Sequence, residues 1–351
     1  MSEPSNPHRG TLAAPDNRFE ALRRERDEDY DDAEDPLPHT EFLNDDSQSI
    51  ISRNDSPDLG FNAGLNPYRG CEHGCIYCYA RPTHEYLGFS QGLDFETKIV
   101  VKHRAPELLR RELSSPKWRP QTIAMSGVTD CYQPVERRLR LTRRCLEVLA
   151  EFRNPVGIVT KNALVTRDTD LLAELATHGA VAVFLSLTSL DRNLRGKLEP
   201  RTSPPAARLR AIEKLANAGI PVGVMVAPVI PALNDHEIPR LLCAAAEAGA
   251  RFASYVTLRL PYANKELFEG WLQEHFPERS EKVLNQIRSL RDGRLNDSNF
   301  GDRMRGTGPL ADQIDSLFRV AARKAGLNDQ RLRLSTAAFR RPGGTQLQLF
   351  D

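Results

Sequence analysis

The chain has 351 residues, a formal net charge of +1 and 40% hydrophobic residues. That length allows one large domain with tails, or two domains, and a balanced charge excludes a polycation built as a whole for nucleic acid. No apolar run approaches the length that crosses a bilayer, and the start, Met-Ser-Glu-Pro-Ser-Asn-Pro-His, lacks the basic-then-apolar form of a signal peptide, so the chain reads as cytoplasmic.

Residues 1–45 read as a disordered acidic tail: polar, proline-containing, with an acidic run over 27–35. Such a segment cannot bury enough apolar surface to offset the entropy of ordering. Beyond it, short apolar runs alternate with helical patterns. Strands are predicted at 97–101, 122–128, 156–161, 181–187, 222–227 and 252–260, nearly all apolar and rich in β-branched residues, as strands covered on both faces should be. Helices fall between them. One starts near Pro106 and carries Leu108, Leu109 and Leu113, and a second covers 135–152. A third follows Asp168 as its N-cap, a fourth opens at Pro204 and Pro205, and a fifth follows Asp235. Cys145 and Cys243 fall in helical patterns and read as core residues.

Repeated β-then-α order implies a parallel sheet with right-handed crossovers. About six units fit the available length, where a full eight-unit barrel takes about 250 residues. The expected fold is therefore α/β: a partial (β/α)6 TIM-like barrel over 46–262, with a helical C-terminal appendage over 263–340 and a flexible tail over 341–351. Ligands of such folds collect at the C-terminal ends of the strands.

The chemistry is concentrated in Cys71, Cys75 and Cys78, spaced C-x3-C-x2-C. A compact loop with this spacing can turn three thiolates toward one centre. A cubane cluster has four irons, so three thiolates leave one iron free, whereas a closed structural zinc site usually takes four protein ligands. A zinc knuckle would need His73 as its fourth ligand, from an awkward place between the first two cysteines. Six cysteines in a chain of this length are not a disulfide-dense pattern.

The loop, with Tyr77 as the aromatic before the third cysteine, resembles the radical S-adenosylmethionine (SAM) superfamily. The wider run Leu65-Asn-Pro-Tyr-Arg-Gly-Cys-Glu-His-Gly-Cys-Ile-Tyr-Cys-Tyr-Ala80 resembles the branch of spore photoproduct lyase and DNA repair photolyase-like proteins. The resemblance implies a [4Fe–4S] cluster on Cys71, Cys75 and Cys78, with SAM bound at the free iron. One electron, from a donor such as flavodoxin or ferredoxin, would break the sulfur–C5′ bond, and the 5′-deoxyadenosyl radical would take hydrogen from a substrate.

The same resemblance assigns roles at the strand ends. Lys161 would contact the SAM carboxylate, Ser126 and Ser186 the rest of the cofactor, and Tyr77 the adenine. Glu199 and Arg201 either hold SAM or pair with each other. Tyr79 is a candidate for adenine packing or radical transfer. In the lyase a cysteine hydrogen donor stands two residues before the SAM-contacting serine; here that position is Ala124. The nearest thiol is Cys131, either a hydrogen donor from another direction or a small buried residue. The resemblance thus speaks for the cofactor chemistry more than for repair of a thymine dimer.

At the C-terminus, Gln346, Leu347, Leu349 and Phe350 resemble the peptide by which bacterial replication and repair proteins bind the sliding clamp, on a leash of Gly343 and Gly344. Alternatively the segment is a last strand docked on the chain itself. Arg331, Arg333, Arg340 and Arg341 just before it are candidates for phosphate contacts. Three functions compete: a radical SAM enzyme on nucleic acid, lyase-like or repair-like; the same chemistry on a small molecule or protein; and a non-catalytic metal-cluster protein that binds the clamp.

Overall fold

The computed structural model describes residues 9–20 and 39–342. Ten strands appear in chain order: β1 (Glu41–Asn44), β2 (Ile51–Arg53), β3 (Ala63–Leu65), β4 (Tyr68–Arg69), β5 (Lys98–Val101), β6 (Ile123–Met125), β7 (Val156–Thr160), β8 (Val181–Ser186), β9 (Val222–Val229) and β10 (Phe252–Thr257). The main sheet runs β10-β9-β8-β7-β6-β3-β2. From β3 to β10 every pairing is parallel, and β2 closes the β3 edge antiparallel. This is the six-stranded parallel wall expected of a partial barrel.

One member of the expected set is different. The run at 97–101 forms β5, but it pairs with β1 and β4 in a separate three-stranded sheet. The first barrel position belongs to β3, whose sequence Ala-Gly-Leu carries no β-branched run. Its place is set by pairing on both sides, with Ser52 facing Gly64 and Gly64 facing Ala124. A Cβ on Gly64 would come 2.8 Å from Ser52 Oγ, so a side chain there would have to turn the serine hydroxyl away from Gly64 O.

Helices Ala105–Ser114, Leu141–Phe152, Thr169–Thr177, Pro205–Asn217 and Ile238–Glu247 cover the wall. Their apolar faces meet Ile123, Ile158, Val183, Leu185, Val224 and Val226 in one continuous core. Asp168 precedes a helix as expected but does not cap it. Its carboxylate instead takes Tyr132, Arg143 and Arg167. Cys145 is buried in the core, whereas Cys243 is exposed, its helix face turned outward.

The C-terminal appendage has two parts. Helix Gly308–Lys324 packs on Ile238–Glu247 and sets Phe318 against Tyr255, with ring centroids 4.7 Å apart. Helices Asn264–His275 and Pro277–Ser289 build a second apolar cluster with Ile76, Tyr77, Leu194 and Leu198, beside the cysteine loop.

The expected tail gives way in two places. Glu41–Asn44 is a strand parallel to β5. Residues 9–20 run along the cysteine loop. There Gly10 N–H donates to Glu96 Oε2 (2.9 Å), Leu93 N–H to Ala13 O (2.9 Å), and Arg18 pairs with Glu85 (2.7 Å). These bonds reach partners some 70 to 90 residues away, beyond what local composition reports. The acidic run over 27–35 and the peptide at 346–350 lie outside the described residues.

Candidate active site

The cysteine loop leaves β4 at Gly70. Gly70 has φ of 77°, and a Cβ there would stand 2.9 Å from the His84 ring and 3.0 Å from Phe95 O. Cys71 N–H donates to Phe95 O (2.9 Å), Ile76 N–H to Leu198 O (3.1 Å), and Asn264 Nδ2 to Cys78 O (2.8 Å). The loop is thereby tied to the fourth β/α unit and to the appendage.

Its central support is Arg81, fully buried. Nε and Nη2 donate to Cys75 O (3.1 and 3.0 Å), Nη1 to Gly92 O (2.8 Å), and Nη2 pairs with Glu96 (2.5 Å). With Gln91 O (3.3 Å from Nη1) the guanidinium fork serves four acceptors at once, which a lysine cannot reproduce.

All three thiols are free; Cys71 and Cys75 are buried and Cys78 is half-buried. Burial pushes the Cys75 thiol up, with Glu199 adding to it, and burial and Cys71 push up Cys78. Two thiols that resist ionisation alone, with a third on the same loop, suit a centre that supplies positive charge. Among the described residues, no three His, Cys, Asp or Glu side chains gather as a site for a single ion.

His73, the fourth ligand of the zinc alternative, is engaged elsewhere. Its Nδ1 lies 3.3 Å from Asp130 Oδ2 and its Nε2 3.3 Å from Asn162 Nδ2. Burial works against a charged imidazole, but Asp130 and the Cys71 sulfur outweigh it and raise His73 to about 9. Burial likewise opposes the Asp130 carboxylate, and His73 outweighs it, holding Asp130 at about 2. Asp130 also accepts from Thr160 Oγ1 (2.7 Å) and Lys161 N–H (2.8 Å), so the pair couples the loop to the end of β7.

The remaining sequence candidates fall around this loop at the C-terminal strand ends. Lys161 follows β7, with Nζ 5.7 Å from the Tyr77 ring centroid. Tyr77 is buried, its hydroxyl bonded to Glu199 and 3.3 Å from Thr188 Oγ1. Glu199 and Arg201 do not pair with each other. Glu199 is fully buried against Arg208, while Arg201 holds Glu72 at 3.0 Å. Burial opposes the Glu199 carboxylate, yet Arg208 and Lys161 bring it down to about 2.

Ser186 ends β8, fully buried, and donates to Ala227 O (3.2 Å). Ser126 directly follows β6 with φ of 80°, a conformation that disfavours a side chain and is typical of functional turns. Its Oγ accepts from Cys131 N–H (2.9 Å). Cys131 is fully buried and burial keeps it a thiol. Tyr79 is open to solvent, its hydroxyl donating to Gly127 O (2.5 Å). Of the two groups with a transferable hydrogen, Tyr79 faces outward and Cys131 does not.

Sequence reasoning flagged the 129–136 segment, with the Asp130 carboxylate, as a binding loop or a plain helix start, and missed Arg81, Glu96 and Arg208, whose pairings no local pattern announces. Glu72, an acid inside the cysteine motif, was a usable signal: it accepts from Val135 N–H (2.7 Å) and Arg201. Arg340 and Arg341 lie elsewhere. They bond to Phe152 O, Glu151 O and Trp118 O, at the N-terminal ends of β6 and β7, opposite the cysteine loop.

Residues 65–242 match the family model of the Radical SAM superfamily, and the chain belongs to that superfamily. The family's cofactors are a [4Fe–4S] cluster and SAM. The chain is 42% identical to an uncharacterized protein of Mycobacterium tuberculosis over 222 residues, 63% of this chain. That stretch spans 65% of the mycobacterial protein, under two thirds of its length. An uncharacterized protein of Methanocaldococcus jannaschii is 30% identical over 222 residues, 63% of this chain and 79% of that protein. In structure the chain is similar to spore photoproduct lyase complexed with dinucleoside spore photoproduct, at TM-score 0.60 and 16% identity, over 82% of this chain and 80% of that one. A variant of that lyase with bound AdoMet and dinucleoside spore photoproduct gives 0.58 at the same identity and coverage. At 16% identity the likeness is one of fold. No helix among the described residues is long and apolar enough to cross a membrane.

Proposed function

We propose that the chain is a radical SAM enzyme that takes a hydrogen atom from a nucleotide of a nucleic acid. The observation that carries the cofactor part is three free thiols, two buried and one half-buried, on one braced loop at the barrel mouth, next to a lysine that forms no ion pair among the described residues. When bound, the cluster and SAM supply one-electron cleavage of the sulfur–C5′ bond and a carbon radical that abstracts hydrogen; the electron comes from a low-potential donor protein.

The chain's own residues hold and orient. Cys71, Cys75 and Cys78 are the cluster ligands, leaving one iron for SAM. Lys161 neutralises the SAM carboxylate, with the Ser126 and Ser186 hydroxyls as further contacts. Tyr77 offers its ring to the adenine. Glu199, held by Arg208, fixes the Tyr77 hydroxyl, and Glu72 fixes Arg201 beside the loop. Tyr79 stands where a substrate enters, and Cys131 carries an S–H hydrogen behind Ser126.

Anaerobic reconstitution tests this reading. After chemical reduction the wild type should form 5′-deoxyadenosine, and Cys75→Ala should form none. Absence of product from wild type holding an intact, reduced four-iron cluster overturns it.

A further inference from the structure

Most large apolar side chains of the described residues are covered, but several aromatic rings are not. Tyr79 is 49% exposed, Tyr262 56%, Phe19 58% and Tyr86 70%. They share one rim. Tyr79 directly follows the ligand Cys78, and Asn264 Nδ2 bonds Cys78 O, which brings the Tyr262 segment against the same end of the loop.

Each ring is faced by an arginine. The Arg18 guanidinium lies 3.5 Å from the Tyr262 ring centroid, 4.8 Å from Phe19 and 5.8 Å from Tyr86. Arg259 lies 5.6 Å from the Tyr79 ring, whose orientation is set by the bond from its hydroxyl to Gly127 O. Aromatic rings about half exposed and interleaved with guanidinium groups are the platform on which unpaired bases stack.

Arg259 adds a charge with no ion-pair partner among the described residues. It follows β10 at the C-terminal face of the barrel, where ligands collect. Among the described residues its buried Nε has no hydrogen-bond partner, and the one polar contact of its guanidinium is a long one from Nη1 to Met304 Sδ (3.8 Å). The nearby carboxylate of Asp58 is taken by Arg303 and by Gly301 N–H. Arg291 uses its guanidinium on Thr257 Oγ1, Leu258 O and Asp302 O. Burial and the Arg303 charge act against the Arg259 cation more than Tyr79 and Asp58 favour it, and among the described residues no carboxylate lies within ion-pair distance of it. A half-buried guanidinium in this state calls for an anion.

From this we infer that Arg259, Tyr79 and Tyr262 form a binding site for a single-stranded nucleic acid, with a phosphate on Arg259 and adjacent bases stacked on the two tyrosines. Arg18, Phe19 and Tyr86 extend the track outward from Tyr262. A duplex conceals the base faces this rim is built to receive, so an unpaired or flipped-out segment is the form it takes. The inference rests on the reading of the barrel mouth as an active site and names the substrate form that site accepts.

The test is fluorescence anisotropy with the full chain and a short fluorescein-labelled single-stranded oligothymidylate at low salt, beside its duplex with oligoadenylate. The single strand should bind at least tenfold tighter than the duplex. Tyr262→Ala should weaken binding roughly tenfold, from the stacking of one base. Arg259→Gln should weaken it similarly and lower the slope of log affinity against log salt by about one. Tyr262→Phe, which keeps the ring, should bind as wild type, and so should Arg323→Gln, an exposed arginine on the appendage. Equal binding of single strand and duplex, or Arg259→Gln and Tyr262→Ala no weaker than Arg323→Gln, overturns the inference. Wild type that forms 5′-deoxyadenosine but fails to bind the strand loses this site and keeps its cofactor chemistry; the reverse outcome separates the two the other way.

Discussion

The barrel wall and the cysteine loop are buried alike but held by different forces. In the wall, Ile158, Val183, Leu185 and Val224 are inaccessible and touch other apolar side chains. Their attraction is non-directional and shared among many neighbours. The loop has almost no regular structure, and its closure depends on single polar groups: Arg81 on Glu96, His73 on Asp130, Arg201 on Glu72. A wall of shared contacts should tolerate conservative change, whereas a loop of dedicated partners should not.

The largest expected effect breaks the loop at its centre. Arg81→Met leaves Glu96 buried without its cation and deprives Cys75 O and Gly92 O of donors. A loss of roughly 3–5 kcal/mol is expected, read as a lower urea midpoint in anaerobic unfolding, with loss of cluster absorbance. A midpoint near wild type would mean that apolar packing holds the loop as it holds the wall.

Acid should act on the loop side as well. His84 packs beside Gly70 and hydrogen-bonds Lys98 O, and burial lowers it from 6.5 to about 4. Above the unfolded value both states are neutral and nothing is lost. As pH falls from 6.5 toward 4 the unfolded chain takes the proton first, so stability drops by about 3 kcal/mol across that window. His84→Gln, which can still donate to Lys98 O, should flatten the stability profile over those pH values. Glu199, also depressed, acts lower, from the ordinary carboxylate value down to about 2. An unchanged profile in the variant would remove His84 from the account.

Removing residues 1–20 deletes the Gly10 bond to Glu96 and the Arg18 pair with Glu85. About 2 kcal/mol of stability should go with them, and the cluster absorbance should bleach faster in air. Bleaching at the wild-type rate would show that this segment does not shield the loop. The smallest effect should come from the wall: Ile158→Val, at a buried β7 position, should cost about 1 kcal/mol and leave 5′-deoxyadenosine formation unchanged.

Much of the wall was legible. β7, β8, β9 and β10 are apolar, β-branched runs bounded by turns, so their type and order follow from local pattern. β3 was not, because Ala-Gly-Leu has no strand signature and becomes a strand only between β2 and β6. β5 was seen as a strand but given the wrong sheet, since an apolar run does not name its neighbours. Cys243 illustrates the same limit on a helix: the pattern located the helix, and the position of Gly308–Lys324 beside it left that thiol outside. At the site, Lys161 and the serines were readable as polar residues closing apolar strands. The partners of Glu199 and Arg201 were not, because proximity in sequence suggested a pairing that Arg208 and Glu72 had taken.

The count and spacing of the three thiols, the alternating β/α order from β6 to β10 and the polar residues that close those strands are local properties, and the order of residues alone determined them. Which strand opens the barrel, which acid neutralises which base, and that the carboxylate near Arg259 is taken by Arg303 depend on segments brought together from far apart in the chain. Burial then acts on whatever meets there: it makes a charge costly until a partner arrives, and only the folded chain shows whether one has.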